Sequence, residues 1–194
     1  MPNLYIIAGC NGAGKTTASY TILPEMLNCR EFVNADNIAA GLSPFNAASV
    51  AIEAGRIMLT RIESLLQNEE DFAIETTLAS RSYVDLINRA RGKKYKITLI
   101  YFWLSSPDEA KYRVAKRVSN GGHSIPDNVI KRRFFRGIYN LINLYIPICD
   151  LWLVINNTSG TPTLICEGNL ETINIINNYD IWNTIKEQSH AIKS

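Results

Sequence analysis

No apolar run in the sequence is long enough to cross a membrane as a helix. The longest run extends from Ile97 to Leu104, whereas a membrane helix needs about 20 apolar residues. The opening residues Met1-Pro2-Asn3 also lack the basic segment of a secretory signal. We therefore expect a cytoplasmic protein with no membrane partner.

Closely spaced cysteines are missing as well. Cys10, Cys29, Cys149 and Cys166 form no C-x-x-C pair, which argues against the common structural zinc sites and favours reduced core thiols. The sequence also lacks a large excess of charge of either sign, because 20 lysines and arginines nearly balance 18 aspartates and glutamates. A net charge of +2 gives no general argument for nucleic-acid binding.

The strongest motif follows the apolar residues Leu4–Ala8. Residues Gly9–Thr16 read GCNGAGKT and match the phosphate-loop pattern G-x-x-x-x-G-K-[ST] at every fixed position. Glycines let such a loop curl so that its N–H groups face phosphate oxygens, and the helix that follows adds its positive end. We expect Lys15 to neutralise the β- and γ-phosphates and Thr16 to ligate Mg²⁺. The nucleotide-binding residues predicted from the motif are Gly9, Asn11, Gly12, Ala13, Gly14, Lys15, Thr16 and Thr17.

Apolar strands alternate with amphipathic helices along the rest of the chain. This alternation predicts an α/β fold of the phosphate-loop kinase type, a three-layer sandwich with a mostly parallel five-stranded sheet. A short strand near Thr163–Cys166 and a final helix from about Glu171 are expected to complete it. The sequence contains no repeat or linker, so we expect one kinase domain over residues 1–194.

Polar side chains stand where the predicted strands end. Asp36 follows the second strand, and Glu75 and Thr77 follow the third. Ligands bind at the carboxyl ends of parallel strands, so these groups are expected beside the phosphate loop. Asp36 could accept a proton from a substrate hydroxyl or could only cap the next helix, a role that Asn34 or Asn37 could also have. Glu75 could bind substrate or support a metal ion.

A basic segment at residues 107–136 is predicted to be a lid. The D-x-x-G and N-K-x-D motifs of signalling GTPases are absent, which leaves a small-molecule kinase as the favoured class. Such kinases close a lid over the phosphates and exclude water. Arg113 and Arg117 lie one helical turn apart and are predicted to contact phosphate. No definite role is predicted for Arg132, Arg133 and Arg136.

Four segments together resemble the zeta toxin family of phosphate-loop kinases. They are AGCNGAGKTT, VNAD, IETT and RVAKRVSNGGHSIPDNVIKRRF. The resemblance implies transfer of a phosphoryl group from ATP or GTP, with Mg²⁺, to a sugar hydroxyl of UDP-N-acetylglucosamine or a related nucleotide sugar. It also implies a toxin-like protein with an antitoxin as a partner.

The resemblance assigns roles to residues, with two departures. Ala79 stands where the family's toxins often have an arginine, for which Arg81 is the substitute, and His123 stands near the expected second lid arginine. The catalytic residues implied are Lys15, Asp36, Arg113 and Arg117; the substrate-binding residues are Asp36, Glu75, Thr77, Arg81 and His123; the metal ligand is Thr16.

Two other functions compete with this interpretation. A polynucleotide 5′-hydroxyl kinase would need aromatic side chains along a basic groove, and Phe134 and Phe135 follow two arginines. Phe134 belongs to the apolar stripe of its predicted helix, so nucleic acid is not the expected partner. A nucleotide-binding regulatory module would need neither Asp36 nor Glu75 at the strand ends.

Overall fold

The computed structural model describes residues 1–119, 122, 124–170 and 172–191 of the chain. Within these residues, one central sheet organises the molecule. Its strands are β1 (Asn3–Ala8), β2 (Glu31–Val33), β3 (Phe72–Thr76), β4 (Lys96–Trp103), β5 (Leu151–Asn156), β6 (Thr163–Asn169) and β7 (Ile173–Ile176). Their order across the sheet is β2-β3-β1-β4-β5-β6-β7.

Helices flank the sheet. They are α1 (Lys15–Thr21), α2 (Ala35–Leu42), α3 (Ala51–Gln67), α4 (Tyr83–Gly92), α5 (Pro107–Ser119), α6 (Asp127–Asn140) and α7 (Tyr179–His190). A π-helical turn that contains Pro24 extends α1, and a second π-helical turn extends α6. Among the described residues, no helix combines the length and the apolar character needed to cross a membrane.

The predicted α/β fold is confirmed, but the sheet has seven strands and not five. Strands β1 to β5 pair in parallel, while β6 and β7 extend the sheet in antiparallel fashion. β6 is the short strand that the sequence predicted. β7 was missed, because the isoleucines of Ile173–Ile176 were included in the final helix. That helix begins only at Tyr179, where the Asn178 side chain accepts a hydrogen bond from the Ile181 N–H at 2.9 Å.

The predicted lid segment consists of α5 and most of α6. Two arginines of α5 and one of α6 line the cavity described below. Gly121 and His123 of the predicted lid segment lie outside the described residues. Gly122 is described, and its N–H donates to the Arg117 carbonyl at 3.0 Å.

The centre of the sheet is buried on both faces. Leu4, Ile6 and Ile7 of β1 are 0% exposed, as are Ile97 and Leu99 of β4. Continuous burial of this kind is expected of parallel strands that are covered by helices on both sides. The phosphate loop and α5 therefore follow strands that lie in the buried core of the molecule.

The strand register brings the end of β3 to the phosphate loop. Ile7 pairs with Glu75 and Ala8 pairs with Thr76. The loop begins one residue later, at Gly9. Because the strands are parallel, the side chains after β1 and β3 reach the same edge of the sheet.

Candidate active site

The phosphate loop has the curled backbone that the motif predicts. Gly12 and Gly14 adopt φ angles of +80° and +83°, which residues with a Cβ rarely adopt. A Cβ atom on Gly12 would also lie 2.9 Å from the Ala110 carbonyl oxygen. Helix α1 begins at Lys15, directly after the loop, so its free N–H groups face the same space.

A single carboxylate connects the polar groups of the loop. Glu75 Oε2 accepts hydrogen bonds from Thr16 Oγ1 at 2.7 Å and from Asn34 Nδ2 at 2.6 Å. Its Oε1 lies 3.5 Å from Lys15 Nζ, which also donates to the Cys10 carbonyl at 3.1 Å. Lys15 is only 7% exposed. Without bound phosphate, Glu75 therefore balances the buried ammonium charge.

Asn34, and not Asp36, is the N-cap of helix α2. Asn34 Oδ1 accepts hydrogen bonds from the N–H groups of Asp36 at 2.8 Å and Asn37 at 3.1 Å. Within the described residues, the Asp36 carboxylate has no hydrogen bond or ion pair, and it lines the cavity in front of the loop. The capping interpretation of Asp36 is therefore wrong. Asn34, which was not among the predicted site residues, has that role.

One cavity of about 580 Å³ contains most of the predicted site. Gly9 and Ala13 of the loop are buried and do not line it, and Arg81 lines a separate cavity. His123 lies outside the described residues. The predicted residues that line the cavity are Asn11, Gly12, Gly14, Lys15, Thr16, Thr17, Asp36, Glu75, Thr77, Arg113 and Arg117.

Arg113 lines this cavity but is held by the protein itself. Its Nε donates to Glu109 Oε1 at 2.6 Å, and its Nη2 donates to the Thr158 carbonyl at 2.6 Å. The first contact lies within α5, and the second ties α5 to the segment that follows β5. With two of its donors engaged, Arg113 is less available to a phosphate than the sequence suggested.

Arg117 and Arg133 are better placed to bind phosphate. Among the described residues, the Arg117 side chain has no hydrogen bond or ion pair, and it lines the cavity. Arg133 lines the cavity from α6, and its Nη1 donates to Asn11 Oδ1 of the phosphate loop at 3.2 Å. No definite role was predicted for Arg133 from the sequence. The feature of the sequence that could have indicated a phosphate contact is the cluster of Arg132, Arg133 and Arg136.

The thiol of Cys10 lies inside the loop and carries no charge at neutral pH. Burial raises the pKa of Cys10 to about 11, although the nearby Lys15 lowers it. The loop therefore presents N–H groups and an ammonium group to a phosphate, with no thiolate to repel it.

The loop region also offers ligands that suit Mg²⁺. The Thr16 hydroxyl and the Glu75 carboxylate are hard oxygen donors in direct contact. In the part of the chain that the structure describes, no group of three or more His, Cys, Asp or Glu side chains could hold a metal ion alone. Magnesium commonly completes such a set with nucleotide phosphates and water, so these residues fit a nucleotide-bound ion.

Comparisons with known proteins agree with this geometry. The chain is 25% identical over 126 residues to an uncharacterized protein of Haemophilus influenzae (strain ATCC 51907 / DSM 11121 / KW20 / Rd). The aligned residues make up 65% of this chain and 88% of that protein. This relative indicates common descent without indicating a substrate.

Two solved structures show the same fold. A chain of the AvrRxo1-ORF1:-ORF2 complex with ATP superposes with a TM-score of 0.77 at 16% identity, covering 100% of this chain and 66% of that chain. A chain of the PezAT chromosomal toxin–antitoxin system of Streptococcus pneumoniae superposes with a TM-score of 0.64 at 14% identity, covering 86% of this chain and 72% of that chain. The present chain thus spans just under two thirds of the first of these proteins.

The family model described as Zeta toxin matches residues 1–143. The match covers more than half of the chain and extends from β1 through α6, so it includes the phosphate loop, Asp36, Glu75 and the cavity arginines. This protein therefore belongs to the zeta toxin family and is a phosphotransferase of the kinase type.

Proposed function

We propose that the protein transfers the γ-phosphoryl group of ATP or GTP to a sugar hydroxyl of a nucleotide sugar such as UDP-N-acetylglucosamine. The observation that carries this proposal is the carboxylate of Asp36, which shares the cavity of the phosphate loop and has no hydrogen bond or ion pair within the described part of the chain. Phosphoryl transfer requires positioned groups and charge neutralisation more than covalent chemistry by the protein.

The donor nucleotide binds through the loop. Backbone N–H groups of the loop and the start of α1 receive the phosphate oxygens. Lys15 exchanges its contact with Glu75 for the β- and γ-phosphates. Thr16, with Glu75 beside it, would hold Mg²⁺, which would neutralise part of the phosphate charge.

Asp36 accepts the proton of the acceptor. The acceptor oxygen forms a bond to the γ-phosphorus as the bond to the bridging oxygen of the nucleoside diphosphate breaks. The hydroxyl proton passes to the Asp36 carboxylate and then to solvent. Arg117 and Arg133 stabilise the charge on the transferred group from the side of α5 and α6.

The contacts of Glu75 differ from those expected of an acceptor-binding residue, which is the role that the family resemblance implies for it. Its hydrogen bonds to Thr16 and Asn34 and its ion pair with Lys15 support a role on the nucleotide and metal side. Thr77 lines the cavity without these contacts. It is the better candidate of the two for direct contact with the acceptor.

A polynucleotide acceptor is less well supported. Phe134 is 1% exposed and packs against Phe135 in the core. Bases of a single strand need exposed aromatic faces on which to stack; the buried Phe134 provides none, and Phe135 is partly buried. A small-molecule acceptor is the better fit to the cavity.

An antitoxin protein is proposed as a partner by analogy. The PezAT structure comes from a toxin–antitoxin system, and the AvrRxo1-ORF1 structure is a complex with AvrRxo1-ORF2. Both superpose on this chain, and this similarity of fold supports a second protein as a partner.

The test is a transfer assay with γ-labelled ATP and three classes of acceptor: UDP-sugars, nucleosides and 5′-hydroxyl oligonucleotides. We expect label on a UDP-sugar in the wild type and none with Lys15→Ala. Label on the oligonucleotide alone would establish the polynucleotide alternative. Nucleotide binding without transfer to any acceptor would favour a regulatory module.

A further inference from the structure

The side chain of Asn157 connects the segment after β5 to the phosphate loop. Asn157 is 8% exposed, and its Nδ2 donates to the Ala13 carbonyl at 2.8 Å, across 144 positions of sequence. The conformation of the loop therefore depends on a residue far outside the phosphate-loop motif.

The carbonyl that accepts this hydrogen bond belongs to the same peptide unit as the Gly14 N–H. The peptide bonds of the described residues are trans, and a trans peptide is planar with its C=O and N–H pointing in opposite directions. Because the Ala13 carbonyl is directed at Asn157, the Gly14 N–H is directed away from it. Gly14 lines the nucleotide cavity, and within the described part of the chain its N–H donates no hydrogen bond. This N–H is thus available to a phosphate oxygen.

The segment that carries Asn157 is itself held by its neighbours. The Asn157 N–H donates to the Trp103 carbonyl of β4 at 3.0 Å. The Thr158 carbonyl accepts from Arg113 Nη2 of α5 at 2.6 Å, and Thr158 Oγ1 accepts from the Ser105 N–H at 3.0 Å. Contacts with β4, with the turn after it and with α5 therefore fix the position of the Asn157 amide.

The oxygen of the same amide has no partner. Asn157 Oδ1 is buried and, among the residues that the structure describes, accepts no hydrogen bond. A buried acceptor without a donor lowers stability, so the contacts of the oxygen do not explain an asparagine at this position. The Nδ2 donor, which holds the Ala13 carbonyl, does explain it.

We propose that Asn157 is a positioning residue for nucleotide binding, whose amide fixes the peptide between Ala13 and Gly14 so that the Gly14 N–H faces the phosphates of the donor nucleotide. Without the Asn157 donor this peptide can rotate, and a donor that is no longer preorganised binds its ligand less tightly. The inference rests on the proposed function and deepens it on the nucleotide side, without depending on the identity of the acceptor.

The test replaces Asn157 by alanine and uses Asn140→Ala as a matched control. Asn140 is also a buried asparagine whose Nδ2 donates to a backbone carbonyl, that of Leu78, at 2.6 Å, but it does not line the nucleotide cavity. In calorimetric titrations with Mg²⁺–ADP, we expect Asn157→Ala to raise Kd about 10- to 100-fold, as for a lost hydrogen bond to a charged group. Asn140→Ala should lower Tm but keep Kd within about twofold of wild type, which separates positioning from a general loss of stability.

A second measurement needs no variant. In wild type, Mg²⁺–ADP should shift the Gly14 amide proton downfield in a nitrogen–proton NMR correlation spectrum, because the N–H then donates to a charged oxygen; in Asn157→Ala this shift should be smaller. Equal ADP affinity in Asn157→Ala and wild type, or a wild-type Gly14 resonance that does not respond to Mg²⁺–ADP, overturns the positioning role while the kinase assignment stands. A wild type that binds no nucleotide would overturn the proposed function together with this inference.

Discussion

Replacing Asn34 by alanine tests the connection between the two halves of the site. The Asn34 side chain is 4% exposed and makes three hydrogen bonds. Two of them cap helix α2, which carries Asp36, and the third holds the Glu75 carboxylate. Alanine removes all three and leaves the backbone unchanged.

The expected loss of stability follows from these contacts. Loss of an N-cap side chain costs about 1 kcal/mol. Loss of the hydrogen bond to a largely buried carboxylate costs about 1.5–3 kcal/mol. The sum is about 2.5–4 kcal/mol, which for a chain of this size lowers Tm by roughly 5–15 °C.

Thermal unfolding of three variants separates the two terms. Asn37→Ala is the control, because the Asn37 side chain is exposed and, among the residues that the structure describes, bonds only the Tyr20 hydroxyl, at 3.0 Å. We expect its stability within about 0.5 kcal/mol of wild type. Asn34→Asp keeps the capping oxygen but places a second carboxylate beside Glu75. The two carboxylates repel each other when both are ionised, so Asn34→Asp should lose stability as pH rises. Stability should recover at lower pH, where the two carboxylates share a proton.

Two results would refute this reasoning. A Tm of Asn34→Ala within about 2 °C of wild type would show that neither contact contributes appreciably. The second would be for Asn34→Asp to lose as much stability as Asn34→Ala at every pH. That result would show that the Asn34–Glu75 contact does not contribute to stability and that the loss comes from packing.

The remaining predictions concern transfer. Lys15→Ala should lower kcat by at least about 10²–10³-fold because the phosphate charge is left unneutralised; activity within tenfold of wild type in a single-turnover assay would contradict the phosphate-loop assignment. Asp36→Asn should bind Mg²⁺–nucleotide within a few-fold of wild type but transfer about 10²–10⁴-fold more slowly; calorimetry beside the transfer assay checks this, and joint loss of both would make Asp36 structural. Arg133→Gln should lower kcat about 10²-fold or more, whereas unchanged kcat and nucleotide affinity would leave Arg117 as the remaining phosphate contact.

The sequence predicted the parts of the site that depend on local rules. The phosphate loop requires glycines at fixed positions, so its curled backbone at Gly12 and Gly14 could be read directly. The positions of Asp36 and Glu75 followed from the ends of apolar strands, because parallel strands finish at one edge of the sheet.

Other contacts depend on how distant helices and strands pack, and these could not be predicted. Arg133 reaches Asn11 across 122 residues of sequence, and only the orientation of α6 brings them together. β7 was missed for a related reason: its pairing with β6 stabilises a short segment of isoleucine and asparagine whose periodicity fits neither element clearly.

Asn157 shows how these two kinds of information combine at one residue. It follows β5, and its side-chain Nδ2 donates to the Ala13 carbonyl of the phosphate loop at 2.8 Å. A Cβ atom on Gly14 would lie 2.5 Å from the same Nδ2. Glycine at position 14 therefore meets two requirements: the φ angle of +83°, which the motif predicts, and the space for Asn157, which only the packed fold reveals. The end of β5 thus supports the phosphate loop from a part of the chain that the family match, residues 1–143, does not include.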